Sequence, residues 1–148
     1  MDEMAGSRGT LWTLWAAIVA LLALDAAAIW GLLPARADAW YEAQTSVALL
    51  VAGLLALVAG IGTFALRETL ALRDLRSGAL DPNTASGFRR VERMLFALWS
   101  LCLVVAGLGN VLAWGAAKPI AAAPFLVAAA ALLLVHAPRR WLFARPPG

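Results

Sequence analysis

One carboxylate, Asp25, stands inside the otherwise apolar stretch LWTLWAAIVALLALDAAAIWGLL, from Leu11 to Leu33. At the centre of a membrane-crossing helix a carboxylate costs roughly 2.5–3.5 kcal/mol on insertion scales, so it needs a partner or a purpose. The purpose it could serve is proton exchange, which is what coupling proton movement to transport requires. Asn110 lies at a similar depth in a later apolar run and could hydrogen-bond Asp25; Lys118 could reach inward from the outer surface. The structural alternative is an amide-paired Asp25 that only fixes helix register.

The other reactive side chains carry less. His136 is the only histidine, so ligating haem through two histidines would require a second copy of the chain. Cys102, His136 and Met94 fall at no metal-binding spacing, and Cys102 reads as a small packing residue. No glycine-rich phosphate loop, Ser/His/Asp set or zinc spacing is present. The expectation is therefore no enzyme, no metal and no cofactor.

The elements that would position Asp25 are legible in the composition. The chain has 148 residues, 63% hydrophobic and 14% charged, where a soluble domain is about half apolar and about a quarter charged. The excess is gathered into four runs: residues 11–33, 47–66, 94–117 and 120–137. The first spans about 34 Å as a helix, enough to cross a bilayer with modest tilt. The fourth is the shortest, carries Pro124, and crosses only if nearly upright. These runs predict an all-α membrane protein forming one integral domain, with four transmembrane helices as two antiparallel hairpins.

A rival reading of the first run is a secretory signal peptide, with Arg8 before it and Ala26-Ala27-Ala28 as a cleavage site. Cleavage there would discard Asp25. The acidic residues Asp2 and Glu3, and the apolar run continuing through Trp30 to Leu33, favour a retained helix.

Between the runs, Pro34 ends the first helix and ARADAWYEAQ connects it to the second. The second is expected to continue through RETLALRDLRS to a stop at Gly78, with a turn at Asp81-Pro82-Asn83 and Ser86 capping the next helix. Basic residues set the orientation. Arg8, Arg67, Arg73, Arg76, Arg89, Arg90, Arg93, Arg139, Arg140 and Arg145 fall on one side, and only Arg36 and Lys118 on the other. That bias places both termini and the loop of residues 67–93 in the cytoplasm, in what the arginine-rich, lysine-poor composition marks as a bacterial inner membrane. Trp12, Trp15, Trp99 and Trp141 are expected near the inner interface, and Trp30, Trp40 and Trp114 near the outer one.

An offset of 84 residues superimposes Leu11, Trp15, Trp30 and Gly31 on Leu95, Trp99, Trp114 and Gly115. Two readings fit this echo: a duplicated hairpin, or shared membrane composition in helices that cross the same way.

Lipid is as apolar as leucine, so small residues must bring the helices together. Three seams qualify: Gly53, Ala56, Gly60 and Thr63 in the second run; Cys102, Ala106, Gly109 and Ala113 in the third; Ala16, Ala20, Ala23 and Ala27 in the first. Asp25 lies nearly opposite the first-run alanines, on a face with Ile18, Leu21, Ala28, Ile29 and Leu32. Both faces of that helix therefore call for a neighbour, which predicts an oligomer or a larger membrane-protein complex, within the lipid bilayer and without nucleic acid.

Two functions follow. One is a non-enzymatic accessory or scaffold subunit acting through helix packing. The other is a small oligomeric proton- or cation-coupled transporter or channel using Asp25. Small multidrug exporters resemble the chain in size, helix number and a first-helix carboxylate. They can work as oppositely inserted pairs, which needs a weak charge bias, and the bias here points away from that arrangement. A weaker third reading makes the arginine-rich loop a docking surface for a cytoplasmic protein.

Overall fold

The structure is a computed structural model that describes residues 2–33, 45–139 and 142. The connection containing Arg36 and Trp40, together with Arg140, Trp141 and Arg145, lies outside the described residues. Every regular element described is helical. Helix α1 runs Asp2–Leu32, α2 Thr45–Arg67, α3 Arg73–Arg76, α4 Ala85–Ala116 and α5 Ala123–Val135. A π-helical turn, Glu68–Leu72, joins α2 to α3 without a break, and a 3₁₀ turn, Pro119–Ala122, leads into α5.

Three of these rods are long and apolar enough to cross a membrane: Gly9–Leu32, Ser46–Arg76 and Ala85–Ala116. The fourth apolar helix, Pro119–Val135, falls short of that length. Pro119 and Pro124 carry no N–H, so its first turn closes as 3₁₀ and the α-helical part begins only at Ala123. Together the two pieces rise about 27 Å, against a hydrocarbon core of about 30 Å.

The stops have local causes. After α3 the chain turns at Gly78, whose φ of +74° is a left-handed conformation that glycine adopts without steric cost. There Leu80 N donates to Asp74 O, closing the helix end. Asp81 then folds an Asx turn, its Oδ1 accepting from Asn83 N at 2.8 Å. The cap of α4 is Thr84, not the expected Ser86: Thr84 Oγ1 accepts from Gly87 N at 3.1 Å. Thr84 has the extended backbone a cap requires, whereas Ser86 is already inside the helix. Helix α1 begins at Asp2, so it extends through the polar residues ahead of Leu11.

Helix α4 is the centre of the molecule, and α1, α2 and α5 all pack on it. Gly62 faces Leu101, and Arg90 Nε donates to Leu70 O, so α2 and α4 run in opposite senses. Trp99 meets His136 while Gly109 meets Phe125, so α5 also runs against α4. The buried side of α4 is Val91, Met94, Leu98, Cys102, Val105, Gly109 and Ala113, at steps of three and four. Its small-residue seam is spent inside the chain. A Cβ on Gly109 would stand 2.6 Å from Phe125 Cβ and 3.2 Å from Ala122 O, so glycine is what lets α5 approach.

Candidate functional site

Helix α1 turns one narrow stripe toward the rest of the molecule: Leu11, Trp15, Ile18, Leu22, Asp25, Ile29 and Leu33, again at steps of three and four. Asp25 occupies a place in this stripe that an apolar residue would otherwise fill. Ile18 and Ile29 share the face expected for it, while Leu21, Ala28 and Leu32 stand exposed on the outer side.

Across from it, Asn110 Nδ2 donates to Asp25 Oδ2 at 2.7 Å. Both residues are half-buried between α1 and α4. The neighbour of Asn110, Gly109, packs against the start of α5. Asn110 Oδ1 is buried with no partner among the described residues. A carboxylate only accepts, so it can engage the amide nitrogen but not this oxygen; a protonated carboxyl has a hydrogen to donate as well. Lys118 does not join the pair; it is exposed just beyond the end of α4.

A second polar cluster lies at the far end of α5, and sequence reasoning missed its main feature. The last turn of α5 leaves carbonyls that the helix cannot satisfy. Trp15 Nε1 donates to Leu133 O at 3.0 Å and Trp99 Nε1 to His136 O at 3.1 Å. Trp99 is only 1% exposed and serves as an internal clasp. Trp15 and Trp99 form one of the two tryptophan pairs that the 84-residue offset superimposes. His136 is equally enclosed, its ring packed on Phe64 with centroids 5.4 Å apart, and neither ring nitrogen has a partner among the described residues.

The remaining candidates are placed as follows. Cys102 and Ala106 are buried in the α4 core. Gly53, Ala56 and Gly60 line an open groove between α2 and α5, with nothing within 4 Å of a Cβ built on Gly53. Among the arginines of the 67–93 segment, Arg90 ties α4 to α3 through Asp74, and Arg76 pairs with Glu68 at 2.8 Å. Arg89 and Arg93 are exposed. Among the described residues, no three of His, Cys, Asp and Glu gather as a metal site.

Fold and site together define an all-helical protein with membrane-length apolar helices and one interhelical carboxylate–amide pair. No protein-family model matches the chain, and no curated protein or solved structure is detectably similar to it.

Proposed function

We propose that the protein is a non-enzymatic accessory or scaffold subunit of the inner membrane, docking its first helix against another membrane chain or a second copy of itself. In this reading all four apolar helices cross the bilayer as two hairpins, with both termini and the arginine-rich segment in the cytoplasm. The observation that carries the proposal is the direction of Asp25. Because it turns inward onto Asn110, the alanines of the opposite face, Ala16, Ala20 and Ala27, are left exposed. A row of small residues on a bare helix face lets a partner backbone come close, which is how helices associate in lipid. The test is purification in mild detergent with intact-complex mass and composition read together. A stoichiometric second protein or a homo-oligomer, lost in Ala16→Leu/Ala20→Leu, is the expected result. A monomer with nothing attached would end the proposal.

One observation favours a second reading, a proton-coupled transporter or channel: the unmet acceptor of Asn110 beside Asp25. Gain of a proton by Asp25 supplies the missing donor, so the pair can hold two different hydrogen-bond patterns. In proteoliposomes Asp25→Asn should abolish proton-coupled flux while the helices stay folded. Unchanged flux would rule Asp25 out as a coupling site.

A further inference from the structure

The last turn of α5 is where the other long helices converge. Trp15 Nε1 of α1 donates to Leu133 O at 3.0 Å, and Trp99 Nε1 of α4 donates to His136 O at 3.1 Å. Phe64 of α2 lies against the His136 ring, with centroids 5.4 Å apart. His136 closes this joint, and only 2% of its surface is exposed.

A neutral imidazole carries one N–H and one bare nitrogen, and here both ring nitrogens are buried with no partner among the described residues. That arrangement tolerates the neutral ring and opposes the charged one. A second proton would bury another N–H without an acceptor and a full positive charge without a counter-ion. The surrounding groups give no relief. From α2 the charged group that acts on the ring is Arg67, itself a cation. Helices α4 and α1 present the neutral indoles of Trp99 and Trp15, and Arg139, just beyond α5, is exposed. Among the described residues no carboxylate acts on the ring. In water the same side chain takes a proton at about pH 6.5. Acid therefore favours any opening that wets His136.

We infer that the C-terminal end of α5 is a pH-operated latch, closed on α1, α2 and α4 while His136 is neutral and released when its ring gains a proton. Release draws the His136 carbonyl off Trp99 and frees the last turn of α5, which also carries the Trp15 acceptor. The proton comes from solution on that side of the membrane, which is the cytoplasm in the orientation proposed above. The latch depends on neither the α1 alanine face nor Asp25, so it stands or falls alone.

The test is hydrogen-exchange mass spectrometry of the full chain in mild detergent from about pH 8 to about pH 5, with rates corrected for the intrinsic effect of pH on exchange. Protection of residues 132–136 should be level down to about pH 6.5 and then fall about tenfold per pH unit, the slope for one proton taken up on opening. Protection of α4 around Cys102 should stay level. His136→Phe, which keeps a ring against Phe64 but cannot titrate, should hold residues 132–136 level throughout. Level protection in the unaltered protein overturns the inference. So does a fall that survives in His136→Phe, or one shared equally by α4. The chain's only histidine gives a reading that needs no variant, exchange at its ring C2–H. This should be far slower in the folded protein than in the unfolded chain. A folded-state midpoint near about pH 6.5 would show a ring that titrates in place and would overturn the latch too.

Discussion

Asn110 donates its side-chain amide to the Asp25 carboxylate at 2.7 Å, joining two helices whose contributing residues are 85 positions apart. Neither side chain could face lipid cheaply, and each gives the other a reason to face inward.

The pair should behave as a unit in stability measurements. Asp25→Leu, Asn110→Leu and the double variant form a cycle with a coupling of about 1–2 kcal/mol, the scale of hydrogen bonds between membrane helices. Denaturation in mixed detergent micelles gives the four values. Strictly additive losses would mean that the bond contributes nothing to the fold.

Gly109 and Gly53 should respond oppositely to the same change. Gly109→Ala drives a Cβ into Phe125 Cβ and Ala122 O and should cost about 1–3 kcal/mol by overpacking. Gly53→Ala places its methyl in open space and should be neutral or slightly stabilising, as alanine is the better helix former. Matching thermal shifts for the two would contradict the close approach of α5 to α4.

The tryptophan clasps should be separable from tryptophan bulk. Trp99→Phe keeps an aromatic ring but leaves the His136 carbonyl without its donor, at a cost of about 1–3 kcal/mol. Trp15→Phe should cost less, because its bond to Leu133 O is only partly buried. Circular dichroism melts rank the two variants, and the reverse order would refute the assignment.

Arg90 should matter locally where Arg89 does not. Its guanidinium holds Asp74 and Leu70 O, so Arg90→Gln should speed amide exchange across residues 68–76. Its global effect should be below about 1 kcal/mol, because the ion pair is largely exposed. Exchange mass spectrometry on Arg90→Gln and Arg89→Gln makes the comparison, and an identical pattern in both would show that the contact is idle.

Much of this architecture could be read from residue order. Helix-length apolar runs, the stop at Gly78, the turn at Asp81 and the extension of α2 beyond its apolar part depend on local propensity and backbone geometry, which a sequence states directly. Local chemistry misled at the start of α4, where the cap is Thr84 and not Ser86, and where proline spacing shortened the fourth helix. Which face of α1 turns inward was decided by tertiary packing alone. That helix is apolar all round, so Leu21 and Leu22 look alike in sequence, yet one is exposed and the other buried. Trp15 and Trp99 reach the end of α5 for the same reason: an indole in an apolar helix suits lipid interface and protein interior equally. What separates them is an unsatisfied carbonyl within reach of the indole N–H, and that exists only once α5 has packed against α1 and α4.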